Sequence, residues 1–555
     1  MPQRNSIFRK VKRTKLRRNA FNLSHDRKFS FRMGQLVPVL CQEVVPGDSF
    51  RLSSEIFLRM QPLVAPVMHR VNVMTYSFFV PNRLIWNDFP KFIESVGESA
   101  IPPVPPKIEI VSRQDIAYTK NGSLLDYLGF PTVADNQHLE LPFSFSALPV
   151  RAYNRIWNDY FRDQNLEQDL LEYPVNLVDD FVNLNSCDIR YKAWDKDYFT
   201  TAFTNPQKGG DVHIPGGSIS GADVILSLQP GQVSNPAWHT GAITGGPALG
   251  FGTGNIRGHY PGAGDNNWPS RMSVSNPYGQ AATSDTPVWY DPDGSLKVSG
   301  GTSGGATINE LRRAVALQGY LEKLARGGTR YTEMIESIFG VVSSDARLQR
   351  PEFLGGSKNG IAISEVLQTS QSPPDGEGTP QGTMTGHGVS ANKTRQFKAF
   401  FEEYGFVMTL ICVMPRPAYQ QGVSKMWTRF DPLEYLTPDF AHLGEQPVYK
   451  RELYFDGSSS LSNNSVFGYQ SRYSEYKFVP DSVHGNFRDN LDFWHAGRIF
   501  DSSPSLNYEF VTSQNGMHKI EDRIFAVPSY DTILCHLYHN LQAIRPLPVY
   551  GTPRI

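Results

Sequence analysis

Residues 50–60, FRLSSEIFLRM, alternate: Phe50, Leu52, Ile56, Leu58 and Met60 fall on one face, Arg51, Ser53, Glu55 and Arg59 on the other. Side chains of an extended chain point to opposite sides with period two, whereas a helix repeats every 3.6 residues. This segment can bury its apolar half only as a strand with one wet face, and such a strand needs partners. Residues 71–80, VNVMTYSFFV, read as another strand, rich in aromatic and branched residues and stopped by Pro81. FVMTLICVM (406–414) is continuously apolar, the pattern of a strand covered on both sides. With 47 glycines and 40 prolines the chain has turns enough for many short strands, so the expected class is mainly β. No period of 20 to 50 residues repeats, which argues against solenoids and propellers.

Two helices stand out. In VRAYNRIWNDYFRDQN, Val150, Tyr153, Trp157, Tyr160 and Phe161 recur at spacings of three and four. TINELRRAVALQGYLEKLARGG opens on a Thr307/Glu310 capping box and stops at Gly327 and Gly328. Its apolar face (Leu311, Ala314, Val315, Leu317, Leu321, Leu324) is wide enough to predict burial beyond a narrow stripe. IPPVPPKIEI (101–110) is too proline-dense for regular structure and reads as an extended connection, and residues 369–388 read as a loop.

Composition divides the chain further. Residues 1–33 form a basic arm: RNSIFRKVKRTKLRRN (4–19) holds Arg4, Arg9, Lys10, Lys12, Arg13, Lys15, Arg17 and Arg18 without a carboxylate, in a chain of formal net charge −1. Such a segment does not offset its own ordering entropy, so it is a mobile or partner-ordered tail. Residues 34–204 and 306–555 carry the strand and helix patterns. Between them, residues 205–305 hold 21 glycines, 10 prolines and only ten charged side chains, yet keep Trp238, Tyr260, Trp268, Tyr278, Trp289 and Tyr290. So many large aromatics favour a loop-rich insertion, packed on itself or on a symmetry mate, over a disordered linker.

Motifs for chemistry are sparse. There is no Gly-Lys dipeptide for a phosphate loop, and GFGTGNIRG follows no strand pattern. Gly301, Ser303 and Gly305 fit G-x-S-x-G, but in a linker composition. DPDGS (291–295) lacks the later ligands of a calcium loop and reads as a turn. Cys535, His536 and His539 are close enough to suggest a metal, but too few for a structural zinc site. The adjacent carboxylates Asp179/Asp180 and Glu402/Glu403 point apart on a strand. The expectation is therefore no enzyme, no cofactor and no metal. Four widely spaced cysteines fit a reducing compartment, and the absence of a signal peptide or long apolar run predicts a soluble protein without membrane insertion.

Several stretches taken whole resemble the major capsid proteins of the Microviridae, in particular the gokushovirus subgroup. They are PGDSF (46–50), FFVPNRLIW (78–86), RAYNRIWNDYFRDQNL (151–166), LARGGTRYTEMIESIFGVVSSDARLQRPEFLGG (324–356), AYQQGVSKMW (418–427), AHLGEQPV (441–448) and RPLPVYGTP (545–553). They run in family order almost end to end, and the block from GGTRYTE to RLQRPEFLGG is the most specific.

The resemblance implies a viral jelly roll, two packed antiparallel sheets with long inserted loops and a few helices. It implies a structural protein of the virion, assembled in the bacterial cytoplasm as a T=1 icosahedral homo-oligomer with fivefold and threefold contacts around single-stranded DNA. It further implies a small basic packaging protein as partner, and protrusions at the threefold axes, made by residues 205–305, that meet a host receptor. The six aromatics above are then host-recognition or threefold-contact residues. The eight arm cations are then DNA contacts, at most eight phosphates and a salt slope no steeper than about −5.6 per arm, with subunit organisation or a merely solvated tail as the other readings. The competing function is a β-rich glycan-binding protein or glycoside hydrolase with a nonspecific basic tail, and assembly is what separates the two.

Overall fold

The computed structural model describes residues 17–94, 103–110, 118–132, 143–170, 187–209, 212, 308–328, 330–370, 381–457 and 460–550, with short strands at 238–240, 256–258, 272–274 and 288–290. The chain forms two compact units, Met1–Gly209 with Leu321–Ile555, and Gly210–Tyr320.

The first unit is built on ten strands: β1 (Asn19–Asn22), β2 (His25–Phe31), β3 (Val37–Val44), β4 (Ser49–Met60), β5 (Val71–Pro81), β6 (Glu352–Gly360), β7 (Ala362–Leu367), β8 (Met384–Phe400), β9 (Gly405–Pro415) and β10 (Ile533–Arg545). Six make one antiparallel sheet in the order β1-β10-β4-β8-β7, with β2 also paired to β10. Four make the other, β6-β5-β9-β3. Their inner faces share one core, in which Phe31, Leu58 and Leu537 of the first sheet meet Val37, Val73 and Ile411 of the second. This is the jelly-roll sandwich, and no barrel closes among the described strands.

β4 alternates as its sequence requires: Phe50, Leu52, Ile56, Leu58 and Met60 are buried, Arg51, Glu55 and Arg59 exposed. β9 is buried at every position. Val407 and Ile411 face the sandwich. Phe406, Met408 and Leu410 face outward, onto helix α1 (Leu148–Ile156) through Val150, Tyr153 and Ile156. The predicted helix thus packs its apolar stripe on the four-stranded sheet, ending in a π-helical turn at Trp157–Phe161. A smaller cluster gathers Phe199, Tyr419 and Phe510 around the paired strands Glu445–Tyr449 and Val466–Ser471. In the second unit, strand Trp238–Thr240 pairs with Val288–Tyr290, and Ile256–Gly258 with Met272–Val274.

Four expectations need correction. The basic arm does not run to residue 33: β1 and β2 are sheet strands, because their apolar residues, down to fully buried Phe31, find cover against β10. Residues 107–110 of the proline-dense connection form a strand paired with Phe143–Ser146, the prolines lying before it. The loop read at 369–388 ends early, at β8. Helix α2 (Ile308–Arg326) forms as predicted, but of its face Leu311, Val315 and Leu317 stay exposed, Val315 at 64%. A wide apolar stripe demands cover without saying which chain supplies it. Thr307 lies outside the described residues.

Candidate assembly and nucleic-acid surfaces

Of the eight arm cations, Arg4, Arg9, Lys10, Lys12, Arg13 and Lys15 lie outside the described residues, and Arg17 and Arg18 are both exposed. The arm leaves the fold beside β1, where Asn19 pairs with Arg545 and donates from Nδ2 to the Leu547 carbonyl at 2.7 Å. The Arg18 guanidinium lies 5.0 Å over the Phe400 ring at the end of β8. Nearby, Arg545 pairs with buried Asp48 at 3.3 Å and donates to the Glu43 carbonyl at 2.6 Å, tying the last strand to the turn before β4. The root of the arm, at Arg18, therefore lies on the solvent side of the six-stranded sheet.

That side is cationic. The register puts Lys28 of β2, Arg51 and Arg59 of β4, and Lys393, Arg395 and Lys398 of β8 on it, against the carboxylates of Asp26 and Glu55. Both carboxylates are engaged, Glu55 with Lys393 at 2.6 Å and Asp26 with His536 at 3.0 Å. The sequence reading saw Arg51 and Arg59 on one wet face but not the β8 cations. A bulge between Arg395 and Phe397 puts two buried residues, Gln396 and Phe397, in succession and erases the alternation that would have announced the strand.

The insertion aromatics divide: Trp238, Trp289 and Tyr290 lie in strands, with Trp238 in register with Tyr290, while Tyr260, Trp268 and Tyr278 fall outside the described residues. So do Ser303, residues 291–295 and Asp179/Asp180. Cys535, His536 and His539 do not converge, because β10 sends Cys535 and His539 into the sandwich and His536 to the surface. Among the described residues no group of three metal-ligating side chains forms, and no helix is long and apolar enough to cross a membrane.

One surface segment is apolar where a surface is normally polar. In residues 425–443, Trp427 is 71% exposed, Phe430 90% and Tyr435 54%, with Met426, Leu433, Leu436 and Leu443 also open. The segment is nonetheless pinned: Arg429 pairs with Glu475 at 2.9 Å, both nearly buried, and sits 4.3 Å from the Tyr476 ring, while Leu433 offers its carbonyl to Arg472 and Tyr473. A rigid, ring-rich patch of this kind is what a protein interface is made from.

Residues 9–555 match the family described as capsid protein (F protein). The chain belongs to the phage capsid protein (F protein) family. It is 35% identical to capsid protein VP1 of Chlamydia phage 1, over 98% of this chain and 97% of that protein. To capsid protein VP1 of Bdellovibrio phage phiMH2K it is 34% identical over 97% and 95%, and to that of Spiroplasma virus 4 29% over 98% and 97%. A capsid protein is a component of the virion, and a shell is made by repeating one chain. Open apolar surface on the isolated subunit is then expected rather than anomalous.

Proposed function

We propose that this capsid protein closes into a T=1 icosahedral shell around a single-stranded DNA genome, a structural rather than catalytic role. The carrying observation is the end-to-end match to capsid proteins, which favours this reading over a glycan-binding protein or glycosidase. The arm cations Arg4 to Arg18 are the genome contacts, shared with a small basic packaging protein, and their root on a cationic sheet face supports that role. Residues 205–305 form protrusions at the threefold axes and meet the host receptor there.

Segment 425–443 is one of the surfaces by which copies meet. Its rings at 427, 430 and 435, exposed to 71, 90 and 54%, offer roughly 400 Å². That is about half of the ~800 Å² one partner brings to a standard interface. Around the fivefold and threefold axes of such a shell contacts are head-to-tail, so there the patch meets a different surface of its neighbour, whereas across a twofold axis it meets its own copy.

The test of genome enclosure is to treat purified particles with nuclease, extract what survives, and digest it with a single-strand-specific nuclease. Protected nucleic acid that this enzyme destroys supports the reading. Particles empty of nucleic acid, or holding only duplex, refute it.

A further inference from the structure

Directly opposed like charges cost a sheet stability, and a protein with no use for them avoids them. On the solvent side of the six-stranded sheet Arg51 stands opposite Lys398, and the strand on the other flank of Arg51 offers only Gln542. Register sets no carboxylate across from either cation, nor across from Arg395, which faces Ser53. Along β8, Lys393, Arg395 and Lys398 recur at intervals of roughly 7 to 10 Å, on the scale of successive phosphates in an extended strand. Rings are interleaved with them. Phe400 lies under Arg18 at 5.0 Å and Phe57 under Arg59 at 5.4 Å, and both rings are partly open to solvent. Cations that track a backbone beside rings on which any base can stack are the makings of a sequence-tolerant single-strand surface.

We propose that the face running from Arg18 through Phe400, Lys398, Arg51 and Arg395 to Lys393 binds the phosphate backbone of single-stranded nucleic acid, and so is the side of the sandwich turned to the interior of the shell. The inference rests on the shell-and-genome reading and adds a fixed surface to the arm. Arg18, the last cation of the arm, adjoins this face at its Phe400 end. The cost of opposing Arg51 and Lys398 is then offset when a polyanion lies across them.

The test is the salt dependence of binding between full-length subunits and a fluorescent oligo(dT). Neutralising Arg51, Arg395 and Lys398 together as R51Q/R395Q/K398Q removes at most three phosphate contacts, which makes the slope of log K against log salt shallower by about 2. The control K91Q/R347Q/K477Q removes three exposed cations elsewhere and leaves the slope unchanged, and R51K/R395K keeps the parent slope. If the sheet variant has the slope of the control, the proposal is overturned. It is equally overturned if that variant binds as the parent does but no longer assembles, since the face would then meet an acidic surface of a neighbouring copy. Failure of the shell reading looks different: the parent chain itself would form no nuclease-protecting particles.

Discussion

His539 shows how a residue weighed for chemistry serves the fold instead. Its ring is fully buried between the sheets. Nε2 lies 3.1 Å from the Val39 carbonyl, which can only accept, so Nε2 carries the proton and Nδ1 accepts from the Ser54 hydroxyl at 2.9 Å. Burial, opposed by the Val39 hydrogen bond and reinforced by His25 and Arg27, pushes this imidazole down to about 3. Folding therefore favours the neutral ring. Below the ordinary histidine value of about 6.5 the unfolded chain takes up a proton that the folded chain refuses, so stability is lost as pH falls from about 6.5 toward 3, by up to about 1.4 kcal/mol per pH unit. His539→Gln keeps a donor and an acceptor but cannot titrate. We expect its urea midpoint to fall less than that of the parent between pH 6.5 and 4.5; parallel losses would show that His539 is not the acid-sensitive group. Sequence could place Cys535, His536 and His539 close together, but only knowing that 533–545 is a strand separates them onto two faces.

Among the elements, legibility followed pattern. β4 and α1 have clean periods, and β5 and β9 are apolar, branched and aromatic runs of strand length, so all four were readable. β8 was not, because its bulge breaks the period and glycines at 386 and 388 look like loop; at Gly388 a side chain would collide with Met60. β2 was hidden by its charge and β1 by its shortness beside the basic run, since an arm and a half-exposed edge strand share a composition until the partner strand is known. Segment 425–443 gave no sequence signal of its own: nothing in KMWTRFDPLEYL says that Arg429 will be anchored on Glu475 and the rings left outside. Truncating a central interface ring costs about 2 kcal/mol per contact, roughly a 30-fold weakening. We accordingly expect Trp427→Ala with Phe430→Ala to leave the urea midpoint of the subunit within error, since both rings are largely exposed, and to raise the concentration needed for assembly at least tenfold by light scattering. Assembly at parental concentrations would remove this segment from the interface.

At the scale of the whole molecule, sandwich, arm and insertion make one argument. A jelly roll stable alone would not leave α2 and segment 425–443 uncovered, and a solitary enzyme gains nothing from an arm of eight cations on a nearly neutral chain. In the proposed shell each of them has a partner: neighbouring copies for the apolar surfaces, the genome for the cations. The family resemblance supplied the shell, but where the arm ends and which sheet carries it required long-range pairing between residues about five hundred positions apart, which no local pattern encodes. The decisive measurement is sedimentation of the purified full-length chain, with absorbance at 260 and 280 nm and electron microscopy of the fastest boundary. The account predicts uniform closed particles that sediment together with nucleic acid. A subunit that stays monomeric across protein concentration, salt and added single-stranded DNA would contradict it.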